Sequence, residues 1–423
     1  MLIKCHKCKL TAEVLSIIFG AEHGIFQGIE HIDLSRAEYK SNLLKVLPLT
    51  VKTLLLRDVG FDAHHEIKYI SHLVNLTSLS AVRCRIDDCT FLQNLDKLPF
   101  IGVWERNIPF AEAIVTELVR TEQFSKLTCL DLTANLIGDE DVIQLSRSPY
   151  MGNLASLNLS CNLIGDASAT LIATSPYLGN LTQLIMDFNN HIGDKGVMAL
   201  ARSTYLSRLT QLGLRQTQIT AYGLISVLES EYLSCLAILG LARTDLGDCN
   251  VAYLNQQPQN SFICSVTCLD MSYGMVSSRA LSMLVMGPLL TNLTSLDLSH
   301  GYSLFTGLEA LARSPYVCNI TNLNLSDNGV MDDWLEILAE SSNFSKLTSL
   351  DLSNNYIKDQ GVRTLSQSPM FSSLTYIDVS NNRVKYEGAL SLAKSDFLVS
   401  LKRLKLSSYN DIQADELLAL RGS

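Results

Sequence analysis

The chain repeats one pattern with a period close to 27 residues, and that period constrains its fold more than any other feature. Leu127, Leu130, Leu132, Asn135 and Ile137 recur as Leu154, Leu157, Leu159, Asn162 and Ile164. They recur again as Leu347, Leu350, Leu352, Asn355 and Ile357, and as Leu374, Ile377, Val379, Asn382 and Val384. A fixed period of this length implies stacked copies of one unit, none able to bury its apolar face alone. The opening residue of the short strand falls at Ile3, Ile32, Leu54, Leu79, Ile101, Leu130, Leu157, Leu184, Leu212, Leu239, Leu269, Leu296, Leu323, Leu350, Ile377 and Leu404. This reading gives 16 turns in one domain over residues 1–423, irregular across 1–126 and regular across 127–423.

Each part of the unit has a physical reason. Alternating residues such as Leu130 and Leu132 turn one face of a strand inward. The Asn at 135, 162, 189, 328, 355 and 382 sits where the chain bends away, and its amide can satisfy backbone groups of neighbouring turns. Apolar pairs at i and i+3 follow, as in Val142/Leu145, Val197/Leu200, Leu335/Leu338 and Val362/Leu365, which predicts a helix in each turn. Asp139, Asp166 and Asp194 stand at its start as N-terminal caps. Ser-Pro at 148–149, 175–176, 314–315 and 368–369 ends it. Tyr150, Tyr177, Tyr205, Tyr232, Phe262, Tyr316 and Phe397 share one later position and are expected to pack in the core between turns.

The motif Leu-x-x-Leu-x-Leu-x-x-Asn/Cys-x-Leu resembles the leucine-rich repeat, and the unit with its following helix resembles the ribonuclease-inhibitor-like subclass. The resemblance implies an α/β right-handed solenoid, a horseshoe with parallel strands on the concave face and helices on the convex face. The wording of residues 311–326 resembles bacterial repeats of this type, and the opening Leu15-Ser-Ile-Ile-Phe with Ile29-Glu-His-Ile-Asp-Leu-Ser35 is similar to leucine-rich-repeat effectors that intracellular bacteria inject into host cells. That resemblance implies a protein acting in a bacterial cytosol or, once translocated, in a host cytosol.

Charge and cysteine usage bound the partners. The net charge of −9 argues against nucleic acid, which needs a basic face. Eleven scattered cysteines read as reduced thiols of a cytosolic environment. No run of about 18 apolar residues predicts a membrane span. Glu13 and the helical spacing of Leu15 and Ile18 argue against a signal peptide. The Asn-x-Thr/Ser triplets at Asn75, Asn180, Asn292, Asn319 and Asn343 are by-products of the repeat. No cofactor is expected, and the chain is expected to be monomeric when alone.

Candidate chemistry mostly dissolves into the template. Cys5-His6-Lys7-Cys8 places cysteines in the second-leucine and Asn slots, with no second metal-ligand pair nearby, so no metal site is predicted. Cys264 and Cys268 straddle a strand entry. No nucleophile elbow or phosphate-binding glycine loop exists, so no catalytic residues are assigned and no enzyme is expected. The sequence points instead to a scaffold that binds a protein of unknown identity through its concave face. Asp, Asn and Ser fill most outward strand positions, including the aligned Asp270, Asp297, Asp351 and Asp378. The departures are Ile185, Phe188, Arg215, Arg243 and Tyr273, with Trp104 in the fifth turn. Aromatic residues and arginines of this kind characterise interface centres. Two alternatives stand beside this reading. One is an F-box-like ubiquitin-ligase adaptor using residues 10–28. The other is a regulator that binds a GTPase or an enzyme.

Overall fold

The computed structural model describes residues 29–34, 47–56, 73–80, 115–245 apart from 117 and 121, 265–301 apart from 275, 305–406 and 410. It also describes the strand backbones Leu2–Lys4, Lys9–Leu10 and Glu38–Tyr39. The chain divides into two compact units, Met1–Gly213 and Leu214–Ser423.

In the first unit, strands β1 (Leu2–Lys4), β3 (His31–Asp33), β5 (Thr53–Leu55), β6 (Ser78–Ser80), β7 (Cys129–Asp131), β8 (Ser156–Asn158), β9 (Gln183–Ile185) and β10 (Gln211–Gly213) pair in parallel, each with the next. A separate pair joins β2 (Lys9–Leu10) to β4 (Glu38–Tyr39). The second unit continues the same scheme in β11 (Ile238–Gly240), β12 (Cys268–Asp270), β13 (Ser295–Asp297), β14 (Asn322–Asn324), β15 (Ser349–Asp351), β16 (Tyr376–Asp378) and β17 (Arg403–Lys405). The middle residue of each strand is the one the period marks, and template position pairs with template position. The fold is therefore the repeating α/β solenoid that the period predicts.

Leu79 pairs directly with Leu130. Among the described residues, 15 of the 16 strand positions expected from the period are strands, and the β2–β4 pair is additional to them. Ile101 itself lies outside the described residues.

The predicted helices appear in the regular turns, for example Asp139–Arg147, Asp166–Thr174, Asp194–Ala201, Asp332–Glu340 and Asp359–Gln367. Their i,i+3 pairs are buried: Val142 and Leu145, Val197 and Leu200, Leu335 and Leu338, Val362 and Leu365. A 3-10 turn opened by the Ser-Pro step follows in several of them.

Side-chain ladders tie each turn to the next. Asn162 Nδ2 donates to Leu132 O of the preceding turn at 3.0 Å and to Leu159 O of its own at 2.9 Å. Its Oδ1 accepts from Asn135 N and Ile137 N. Asn355 repeats the arrangement with Leu325 O, Leu352 O, Asn328 N and Val330 N. Asn410, one residue late for the motif, accepts from Asn382 N at 3.0 Å and extends the ladder. Thr321, Thr348 and Thr375 donate their hydroxyls to Thr294 O, Thr321 O and Thr348 O. Ser175 Oγ donates to Ser146 O at 2.6 Å and accepts from Tyr177 N. The triplet residues Asn75, Asn180 and Asn319 donate their amides to Leu49 O, Gly152 O and Thr291 O of earlier turns.

Two sequence expectations are corrected. The helix-opening aspartates do not cap their own helices. Asp139 and Asp166 are first helical residues, and each carboxylate reaches across to the following turn. Asp139 Oδ1 accepts from Gly165 N and Ser168 N, both at 3.2 Å. Asp166 Oδ1 accepts from Gly193 N at 2.8 Å and Gly196 N at 2.9 Å. A Cβ on Gly196 would stand 2.7 Å from that oxygen, so the glycine is part of the cap. The aromatic position is the second correction. Tyr177, Tyr205 and Phe397 are 38%, 42% and 39% exposed, and it is the residue after each, Leu178, Leu206 and Leu398, that is buried. At Tyr177 the 3-10 turn Pro176–Leu178 brings one residue into the core, and Leu178 takes it. Phe262 lies outside the described residues.

Candidate functional site

The outward face of the strands shows why Asp, Asn and Ser are its default. Asp297 Oδ1 accepts from Ser299 N at 2.9 Å and Ser299 Oγ at 2.6 Å. Asp270 with Ser272 and Asp351 with Ser353 repeat this. Asn158 does the same with Ser160. The aligned acids thus satisfy the chain as it leaves each strand, a local bond typical of Asx turns.

One residue beyond these serines, a second column has positive φ in each regular turn whose position is described. Ala134, Cys161 and Phe188 carry it in the first unit, with φ of 58°, 57° and 58°. Gln216, Arg243, Tyr273, His300, Asp327, Asn354 and Asn381 carry it in the second, with φ between 49° and 59°. The conformation is imposed by the template. The amide at this place pairs with the next turn, as Arg243 N does with Ser272 O and Tyr273 N with Ser299 O, both at 2.8 Å. Asn, Asp and His tolerate the left-handed region; bulky side chains resist it. Phe188, Arg243 and Tyr273 are therefore placed against local preference.

In the second unit these side chains form a continuous stack. The Arg243 guanidinium lies 4.8 Å from the Tyr273 ring centroid. Tyr273 stacks on His300 with centroids 3.8 Å apart and planes 13° from parallel. His300 Nδ1 meets Asp327 Oδ2 at 2.6 Å. Two turns on, Asn381 Nδ2 donates to Asn354 Oδ1 at 2.8 Å. Tyr273 remains 46% exposed. Arg243 and His300 cover its two faces, so the edge and hydroxyl are what it presents outward.

Beside the stack, Arg215 forms an ion pair with Asp270 Oδ2. Leu214 N donates to Gly240 O, and β11 pairs with β12. Arg215 therefore reaches past the intervening turn, whose Gly240 and Ala242 are buried and carry at most a methyl group. Arg215, Arg243 and Tyr273 are thus brought together within the second unit. Ile185 and Phe188 belong to the first, both half-buried. A Cβ on Gly213 would stand 2.9 Å from Ile185 Cγ2, so Ile185 leans over that glycine. Trp104 and residues 11–28 lie outside the described residues, as do the side chain of Leu10 and Cys5, Cys8 and Cys264.

Sequence reasoning did not single out Asp327, because an Asp in that slot reads as a default residue. The available signal was its place one repeat after a histidine. It also missed a cluster on the last strands. Asp378 Oδ2 accepts from Tyr376 Oη and Lys405 Nζ, both at 3.0 Å. Burial disfavours the Asp378 carboxylate, but hydrogen bonds from Ser380, Lys405 and Tyr376 overcome this and hold its pKa below the usual range. Tyr376 and Asp378 push Lys405 up to about 12.

Among the described residues no group of three or more His, Cys, Asp or Glu side chains is placed to hold a metal ion. No described helix is long and apolar enough to cross a membrane.

Residues 125–146, 180–201, 345–366 and 372–393 match a family model described as "Leucine Rich repeat". No curated protein matches the sequence. Among solved structures, the chain is similar to an internalin (inlF) from Listeria monocytogenes, at 16% identity over 94% of this chain and 89% of that one, with a TM-score of 0.43. It is also similar to TLR13 in a complex with ssRNA13, at 17% identity over 92% and 48%, with a TM-score of 0.47. A yeast complex of Rad7 and Elc1 gives 16% identity over 74% and 79%, with a TM-score of 0.46.

Proposed function

We propose that this leucine-rich repeat protein is a binding scaffold for another protein, and that the Arg243–Tyr273–His300–Asp327 stack with Arg215 is the centre of its recognition face. One observation carries the reading. Arg243 and Tyr273 hold left-handed backbone positions with φ of 59° and 54°, where the same template elsewhere uses Ala, Cys, Phe, Gln, His, Asp and Asn. A large side chain there costs about 1 kcal/mol. Residues kept against local preference concentrate at functional sites. The stack is also preformed, which lowers the ordering cost of association, and it exposes the residue types enriched in binding hot spots.

The mechanism is occupancy of a partner's surface, without bond chemistry. Within the first unit, Ile185 and Phe188 are proposed as contact residues in their own right. The regular period of 27 to 30 with a helix in the turns supports the ribonuclease-inhibitor-like subclass. The wording of residues 311–326 supports a bacterial repeat, and the resemblance of the segment from Leu15 to Ser35 supports an effector that works on a host protein in the cytosol. Affinity capture from host-cell lysate, with bound proteins counted by mass spectrometry, tests the proposal. The wild-type chain should retain a protein that Tyr273→Asn loses at least about tenfold, equivalent to about 1.4 kcal/mol. Equal capture by both chains refutes this assignment of the face.

A further inference from the structure

A groove of about 460 Å³ in the second unit, away from the strand face, is lined by Asp332, Lys358, Asp359, Gln360, Arg383 and Lys385. Its cations are out of keeping with the chain around them. The protein has a net charge of −9, yet residues 356–405 carry eight Lys and Arg against four Asp and Glu.

Two of the three cations also sit where the template places other residues. Lys358 and Lys385 are the residues immediately before helices Asp359–Gln367 and Tyr386–Ala393, and neither side chain caps its helix. Other turns hold Gly138, Gly165, Gly193, Thr220, Ser277 and Met331 in that slot, none of them charged. Lysine is a poor cap, and a positive charge beside a helix N-terminus is disfavoured by the helix dipole. Two successive turns accept this arrangement. The third cation, Arg383, is steadied by the Tyr356 ring, 4.8 Å from its guanidinium carbon. All three side chains are exposed, and none forms an ion pair among the described residues.

The acids of the lining face inward in function. Asp332 Oδ1 accepts from Lys358 N at 2.8 Å, and Asp359 Oδ1 accepts from Lys385 N at 2.7 Å and Gly388 N at 3.2 Å. They leave a modest positive excess spread over two turns. A concentrated phosphate charge would be repelled by both carboxylates, whereas single charges strung along a peptide can meet one cation each.

We propose that this groove binds an acidic segment of a protein partner, with Lys358, Arg383 and Lys385 as its contacts. The proposal is independent of the strand-face reading: either can fail alone.

The test is fluorescence anisotropy with a labelled octa-glutamate peptide and the full chain, beside an octa-glutamine control. The wild type should bind octa-glutamate, more weakly as salt rises, and should not bind octa-glutamine. The double variant Lys358→Ser/Lys385→Ser restores a residue type other turns use, so its melting temperature should not fall while its affinity drops about tenfold. Lys358→Arg/Lys385→Arg should retain binding. Absence of binding to the wild type, equal binding by the double Ser variant, or equal binding of octa-glutamine overturns the proposal. Displacement of the peptide by inorganic phosphate at concentrations where acetate has no effect also overturns it, in favour of a small-anion site.

Discussion

The turns opened by Leu323, Leu350 and Ile377 and those opened by Leu239, Leu269 and Leu296 share one backbone template in the second unit, but use it differently. The first group carries the interior Asn ladder through Asn328, Asn355 and Asn382. On its outer face it carries default residues: Asp327, Asn354 and Asn381. The second group has Thr244, Gly274 and Gly301 in the interior slot. Thr244 can bond only Leu241 O of its own turn, at 2.7 Å. The same group carries Arg243, Tyr273 and His300 outside. Where the buried amide ladder is interrupted, an exposed stack is added to the hydroxyl and sheet bonds that join these turns. In a solenoid, stability comes from neighbour contacts, so exposed ties can serve a partner as well as the fold.

The largest effect is expected from breaking the buried ladder. Asn355→Ala leaves Asn328 N, Val330 N, Leu325 O and Leu352 O without this partner in a buried setting. The loss should be about 4 kcal/mol, read by urea unfolding. A loss below about 1 kcal/mol would show that the amide ladder is not what joins these turns. A smaller effect follows from the cross-turn caps. Asp166→Ala should cost about 1 kcal/mol and should speed amide exchange in helix Asp194–Ala201 more than in its own helix, Asp166–Thr174. Fraying confined to Asp166–Thr174 would restore the conventional cap.

On the stacked side, Tyr273→Asn relieves a strained backbone but removes a ring stack and a cation–π contact, terms of about 1 kcal/mol each. Stability should therefore change little, and a loss above about 3 kcal/mol would make the stack chiefly structural. The smallest effect concerns pH. The depressed Asp378 pKa contributes stability above the unfolded carboxylate value, near 4, and loses it as pH falls through the folded value. The stability gap between wild type and Asp378→Asn should narrow between pH 7 and pH 3 in thermal melts. A constant gap would show that the ion pair with Lys405 contributes nothing.

Much of this architecture is legible in the sequence because the template repeats. Strand centres such as Leu130 and Leu323, and helix faces such as Val362 with Leu365, follow from periodicity alone. What stayed hidden depends on distance across turns. The target of Asp166 lies 27 and 30 residues on, at Gly193 and Gly196, and only the stacking geometry shows the pairing. The small residue at that spacing was a usable signal. Exposure of Tyr177 and burial of Leu178 turn on one residue of 3-10 phase, which apolarity could not decide. Of the candidate face, Arg243 and Tyr273 were visible as departures, whereas Asp327 was masked by resembling the default.

The central proposal is that Tyr273 is kept at a costly backbone position chiefly for a partner, with little net effect on the fold. Measuring melting temperature and captured protein on the same Tyr273→Asn preparation tests it most directly. The account predicts a melting temperature within a few degrees of wild type and loss of the captured partner by at least about tenfold. Undiminished capture, or loss of capture only alongside a collapsed melting temperature, would contradict it.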